Sequence, residues 1–331
     1  MEIGKVPNEV LEKIVFSTIK YKRKEVLVSS AIGEDNGIID FGEDVCVVST
    51  DPITGATKDI GSLSIHISCN DVSTSGAEPI AVLLTILCPP KTTEEELQQI
   101  MEDASLAAAE LNVEIMGGHT EVTDAVNKVV ISTTVIGMQK KDKLPDHASI
   151  KAGDKVAITK YIGIEGSSII AKELEKQLSE ILGPDKVSQA KSLDKYLSVV
   201  KEGIIAGKYK AKYMHDITEG GVYGALWEAS IATKKGILIH EDKIPILDIT
   251  KDICQLLKID PYRLISSGSM VIIIGDEDFN RLSTDLKANG INITAIGEIT
   301  ENGVYYVRNE AKYEILPPGS DELYRALSNF S

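Results

Sequence analysis

Residues 81–112 read AVLLTILCPPKTTEEELQQIMEDASLAAAELN and constrain the fold more than any other stretch. Ala81 to Leu87 form an unbroken apolar run of strand length, the pattern of a buried strand. Pro89 and Pro90 stop it, because neither has an N–H to give to a sheet. Thr92 or Thr93 then caps a helix. Acidic residues fill its first turn, and Leu97, Ile100, Met101, Ala104 and Ala108 make one apolar face. A chain holding such a strand beside such a helix is neither all-α nor all-β. VCVVST (45–50) and NKVVISTTVIG (127–137) read as further strands. Near the start, Val10, Ile14 and Val15 recur at helical spacing after Pro7, and KYKRK (20–24) reads as a solvated loop.

The composition shifts at QKKDKLPDHASIKAGD (139–154), which is polar, contains proline and ends in a turn. It divides the chain into domains 1–148 and 149–331, a division that 331 residues support. The second half restarts with the strand KVAITK and a turn at Gly163 and Gly166. Two helices follow, SSIIAKELEKQL and VSQAKSLDKYLSVVKEGIIAG, separated by Gly183-Pro184. Then come the strand YMHD, the turn ITEGG and the helix VYGALWEASIA. ITAIGEITENGVYYVRN reads as a hairpin turning on Asn302-Gly303.

Charge narrows the function classes. Lys+Arg total 35 and Asp+Glu 50, a formal net charge of −15, which disfavours non-specific nucleic-acid binding. The 4 cysteines form no CxxC, so they read as small buried hydrophobes rather than zinc ligands. There is no signal-peptide pattern and no apolar run of membrane-spanning length, so a cytoplasmic protein without a membrane partner is expected.

Five short polar stretches lie at the ends of predicted elements: AIGEDNG (31–37), STDPITG (49–55), SCNDVSTSGAEP (68–79), MGGHTEV (116–122) and MHDITEGGVYG (214–224). Each alone reads as a turn, a strand end or a helix cap. Together they place Asp35, Asp51 and Asp71 where a scaffold can aim carboxylates at Mg²⁺, a hard cation that takes carboxylate and phosphate oxygens. Gly220-Gly221 open a helix whose N–H groups suit an anion. Neither GxxxxGK[ST] nor GxGxxG is present, so the P-loop and dinucleotide-fold routes have no support.

In their order, GEDN, STD, CNDVSTSGAEP, MGGHTEV and HDITEGG resemble the superfamily of aminoimidazole ribonucleotide (AIR) synthase. That superfamily includes thiamine-monophosphate kinase, selenophosphate synthetase and the hydrogenase maturation factor that dehydrates a carboxamide. PPGSDELYRAL near the end is similar to the maturation-factor branch. The resemblance spans nearly the whole chain. It implies an α+β fold of two domains. The N-terminal ATP-binding domains would pair into a shared β-barrel in a homodimer, and the C-terminal domain would be α/β. It implies ATP and Mg²⁺ as cofactors, with Asp35, Asp51 and Asp71 holding the metal. Glu34, Thr50, Asn70, Gly117, Gly118, Thr120, Thr218, Gly220 and Gly221 would line the nucleotide cleft, and His119, Glu121 and Asp216 would serve catalysis. The implied reaction moves the γ-phosphoryl group to an oxygen of a small-molecule or protein-bound acceptor, either an amide or carbonyl or a phosphate or hydroxyl. The alternative is a nucleotide-binding maturation or regulatory protein with little or no catalysis.

Three departures matter. The maturation factor ends in a cysteine where this chain has SNFS, so reaction on its own tail is not expected. The stretch before Gly33 lacks the cysteine and glycines of selenophosphate synthetase. His119 stands where relatives show aspartate, and imidazole is a poor Mg²⁺ ligand. In an extended segment Glu121 faces the same side. It would then supply the carboxylate, or His119 would act on substrate.

Overall fold

The computed structural model describes residues 6–54 and 59–328. It contains two sheets. The first holds β1 (Val26–Val28), β2 (Gly37–Asp40), β3 (Asp44–Ile53), β4 (Glu78–Cys88), β5 (Glu114–Val122) and β6 (Val130–Lys140), in the order β1-β2-β3-β6-β4-β5. The second holds β7 (Lys155–Thr159), β8 (Tyr213–Asp216), β9 (Gly236–His240), β10 (Met270–Ile274), β11 (Ile293–Thr300), β12 (Val304–Arg308) and β13 (Ala311–Glu314). Its order is β13-β12-β9-β11-β7-β10-β8.

At the N-terminus, α1 (Asn8–Val10) runs into a π-turn over Leu11–Val15. The wider turn rotates the expected apolar face: Ile14 and Val15 are exposed, while Leu11 and Phe16 turn inward. Next come α2 (Ile60–Ser73) and α3 (Glu94–Glu110). Of the two candidate caps, Thr93 is the one used, in a reciprocal capping box with Glu96. Helix α2 is buried at every residue but Ser62 because elements cover it all round. It packs on β3 and β6, on α3, and on the second half of the chain.

Strand β4 is not buried on both faces. Its accessibility alternates, with one side against α2 and the other carrying exposed Ile80. Strand β6 alternates likewise and exposes Met138. An apolar run therefore leaves one face of the sheet uncovered.

The second half begins with α4 (Ile164–Glu173), α5 (Glu175–Leu182), α6 (Pro184–Lys191) and α7 (Val200–Lys208). The long second helix read from 187–207 is thus broken, since residues 192–199 form a 3-10 turn and a connector. That connector is what α2 grips. Asn70 Nδ2 donates to the Leu197 carbonyl at 2.8 Å, and Asn70 Oδ1 accepts from the Val199 N–H at 2.7 Å. Gly203 on α7 permits the approach, as a Cβ there would sit 2.2 Å from the Ser73 carbonyl oxygen.

Helices α8 (Gly221–Thr233), α9 (Asp248–Leu257), α10 (Asp276–Ala288) and α11 (Glu322–Ser328) complete the chain. The hairpin expected at Asn302-Gly303 does not form. Strand β9 lies between β11 and β12, pairing antiparallel with the first and parallel with the second. The tight hairpin is β12–β13, turning on Asn309-Glu310. Their φ angles of 50° and 65° are the positive pair a type I′ turn requires. No described helix is long and apolar enough to cross a membrane.

Candidate active site

A cleft of about 990 Å³ lies where the two halves of the chain meet. Its wall combines the 30–37 segment, the end of β3, Asp71 on α2, the end of β8 with the turn after it, and parts of α4 and α11. The local reason is common to most of these: the carboxylates sit at strand or helix ends, where a side chain leaves the regular lattice and reaches into the gap.

The structure brings Glu34, Asp35, Thr50, Asp51, Asp71, Asp216 and Thr218 into this wall. Asp71 is buried and accepts from Ser49 Oγ at 2.7 Å. Asn36 donates to the Asp71 carbonyl at 2.9 Å and to Thr74 Oγ1 at 3.0 Å. It ties the acidic loop to α2. Burial raises the pKa of Asp71 well above the usual range, and Asp216, Asp51 and Asp35 add to the rise. Asp216 is raised by burial and then by Asp35. Glu34 is pushed up to about 7, again by burial first and Asp35 second.

His215, the residue before Asp216, was not singled out by sequence. Its Nδ1 lies 2.7 Å from Asp35 Oδ2 and its Nε2 3.1 Å from Glu228 Oε2. Glu228 Oε1 in turn accepts from Asn8 Nδ2 at 3.2 Å. Burial works to lower the His215 pKa, but Asp35 and Glu228 outweigh it and hold it well above the ordinary value. With carboxylates on both nitrogens the ring donates twice, as an imidazolium. The available signal was the motif neighbour itself: YMHD puts a histidine beside the acid that the resemblance marks.

Asp35, His215 and Asp216 offer ligand atoms within 4.8 Å of one another. Both His215 nitrogens are already engaged, so the carboxylates are the available donors. Asp216 Oδ2 is buried with no hydrogen-bond partner among the described residues. A wall of mutually repelling acids with one orphaned oxygen fits a hard divalent cation.

Several expected residues lie elsewhere. Asn70 faces away from the cleft wall and braces the two halves, because its amide matches one donor and one acceptor of the 197–199 backbone. Gly117, Gly118, His119, Thr120 and Glu121 lie on β5, an edge strand, and do not line this chain's own cleft. Gly118 serves strand packing, since a Cβ there would be 1.9 Å from the Leu84 carbonyl oxygen. His119 Nε2 and Glu121 Oε2 are 3.3 Å apart on the exposed side, so the two do share a face. The expected anion site at Gly220-Gly221 is filled by the chain itself. Gly220 N–H donates to Asp321 Oδ2 at 2.7 Å, and Gly221 N–H to the Thr218 carbonyl.

The other wall of the cleft comes from residues that sequence reasoning missed: Glu165 on α4, Ser267, Ile265, and Leu323, Tyr324 and Leu327 on α11. Glu165 is buried and pushed up to about 7 by burial, with Glu219 and Asp321 adding to the rise against a lowering contribution from Ser267. No motif marks Glu165, Ile265 or Ser267, and Leu323, Tyr324 and Leu327 fall in PPGSDELYRAL, whose place in the cleft shows only once the two halves meet.

Comparison with known proteins identifies the family over most of the chain. Residues 33–139 match the model for the N-terminal domain of AIR synthase related proteins, and residues 151–309 match the model for the C-terminal domain. A putative hydrogenase expression/formation protein of Methanocaldococcus jannaschii is 29% identical over 309 residues, covering 90% of this chain and 89% of that one. The carbamoyl dehydratase HypE of Cupriavidus necator is 28% identical over 274 residues, covering 82% and 75%. The crystal structure of a hydrogenase maturation protein HypE in complex with ATP superposes with a TM-score of 0.72 at 19% identity, covering 98% of each chain.

Proposed function

The chain belongs to the AIR synthase related family, and from that premise we propose that it is a Mg²⁺- and ATP-dependent enzyme that phosphorylates an acceptor oxygen. The observation that carries this reading is the convergence of Asp35, Asp51, Asp71 and Asp216 on one wall of the cleft, with a buried Asp216 oxygen left unpartnered. The relatives point the same way: one is named a carbamoyl dehydratase, and a structure of the same fold holds ATP.

Asp35, Asp51, Asp71 and Asp216 would hold the metal. A bound Mg²⁺ supplies charge neutralisation to the phosphate oxygens during transfer. The chain's own contribution is positioning. Ser49 and Asn36 fix Asp71 and its helix end, while Glu228 and His215 fix Asp35. The acceptor oxygen bonds to the γ-phosphorus as the bond to the bridging oxygen breaks, and ADP leaves with that electron pair. The buried imidazolium of His215 places a fixed positive charge beside the acids.

The working form in this reading is a homodimer. Ile80 and Met138 lie on the uncovered face of the first sheet, and Met116 and Val122 are exposed on β5 at its edge. A second copy laid on that sheet buries them and carries the His119–Glu121 pair toward the neighbouring cleft. Sedimentation as a monomer at micromolar concentration would overturn this part.

The main test is thermal stability with ATP, Mg²⁺, both and neither. At a hundredfold excess over Kd the pair should stabilise the protein by about 2.7 kcal/mol, and ATP without metal should do far less. ADP should then form with the right acceptor. Equal stabilisation with and without Mg²⁺ would sink the metal assignment, and metal-dependent binding without ADP formation across a broad acceptor set would favour a regulatory role.

A further inference from the structure

The cleft has two acidic poles that feel different neighbours. At the first, Asp71 and Asp216 are perturbed by Asp35 and Asp51. At the second, the charges acting on Glu165 are Glu219 and Asp321. The first pole is accounted for by metal and phosphate. The second is not.

We propose that the second pole, formed by Glu165, Ser267, Glu219 and Tyr324, is the acceptor subsite, and that it takes a small molecule carrying a protonated amine or amidine and no phosphate. The proposal rests on the ATP-dependent reading above and names the substrate class of that same site.

Four observations support it. Glu165 is 3% exposed, yet its carboxylate is engaged only by Ser267, whose N–H it accepts at 3.2 Å, and it has no cationic partner among the described residues. A buried carboxylate without a counter-charge is costly, and a cationic ligand removes that cost. Ser267 Oγ lies beside the same carboxylate, is buried in the cleft wall, and has no partner in good hydrogen-bond geometry among the described residues. Tyr324, half-buried beside these acids, offers a ring face that attracts a cation. Ile169, Ile265, Leu323 and Leu327 form apolar wall between the polar groups, as small-molecule sites require.

The same wall argues against a phosphorylated acceptor. Of the described residues lining the cleft, only Lys128 and His215 can be cationic, against eight carboxylates. Lys128 is tied to the Thr54 carbonyl, and His215 is held between Asp35 and Glu228. On α4, Lys172 is held by Asp59 and Asp194. Lys172 shares a small pocket with Glu165, but its charge is already met by those two carboxylates, so no uncommitted cation waits there for a second phosphate among the described residues. Asp321 is itself satisfied by three backbone N–H groups, from Gly220, Ile265 and Leu323, so it contributes field rather than a contact.

The test is calorimetric titration of the full-length protein saturated with Mg²⁺ and a non-hydrolysable ATP analogue. The probes are glycinamide, ethanolamine, their N-acetyl forms and O-phosphoethanolamine. The two free amines should bind, and acetylation should weaken them by about tenfold or more, the loss of one charge-assisted contact. Glu165→Gln should erase that difference, and Glu219→Gln should shrink it. The Kd of the ATP analogue in each variant reports folding and the state of the other pole. The proposal is overturned if an N-acetyl or phosphorylated probe binds as well as its amine. It is equally overturned if no probe binds while the nucleotide does. Failure of the nucleotide itself to bind is a separate result, which removes the ATP reading and this proposal with it.

Discussion

Asp51→Asn should lower ATP turnover by about a thousandfold or more, since the metal and its placement supply most of the catalysis in phosphoryl transfer. The Mg²⁺-dependent part of the ATP stabilisation should vanish with it. Stability without ligand should move the other way. Asp51 raises the pKa of both Asp71 and Asp216 by repulsion, so an amide at position 51 relieves the acidic cluster when no cation is supplied. Turnover assays and melting curves with and without Mg²⁺ read both effects. Wild-type turnover in the variant would remove Asp51 from the metal set. A lower melting temperature in the absence of ligand would show that its role is structural.

The second large effect is expected from Asn70→Ala. The side chain gives one hydrogen bond and takes another across the junction of the two halves, to Leu197 and Val199. Truncation leaves a buried carbonyl and a buried N–H unpaired, at a cost of about 2–4 kcal/mol. Asn70→Asp keeps the acceptor for Val199 but loses the donor to Leu197, so it should also be destabilised. Urea unfolding followed by fluorescence and circular dichroism checks this, with each probe fitted separately because two units need not unfold together. An unchanged midpoint in Asn70→Ala would show that the brace carries no stability. ATP affinity is the companion measurement. If Asn70 only braces, affinity should follow the loss of fold, whereas a nucleotide contact would lower it without any loss of stability.

The two substitutions separate what was legible in the sequence from what was not. Asp51 was readable because Thr-Asp-Pro closes a β-branched run, although the strand does not stop there and stays paired to β6 through Pro52 and Ile53. The capping box at Thr93–Glu96 was readable for a similar local reason: its partners are three residues apart. Asn70 was readable as part of a motif but not in its role. Its partners are more than 120 residues away and are backbone groups, which leave no mark in the side-chain sequence.

The misread hairpin has the same cause. Asn302-Gly303 carries turn chemistry, but β9 offers a better-matched edge on both sides, and inserting it satisfies two ladders at once. Local propensity lost to sheet pairing, as it does when a long-range partner supplies more hydrogen bonds than the turn alone. The apolar run of β4 was read as a buried strand, yet one of its faces is open in the single chain. Periodicity cannot show whether the cover for a face lies in the same chain or in another copy.

Local chemistry in the sequence determined the helix starts, the strand runs, the acidic residues at their ends and, through the order of five short stretches, the family. Only the tertiary structure decided which acids share a cleft. It closed His215 between Asp35 and Glu228, filled the Gly220 N–H with Asp321, and left Glu165 buried without a cation among the described residues. Those outcomes depend on where the two halves meet, and that junction is set by packing α2 against segments distant in the chain, which no local pattern encodes.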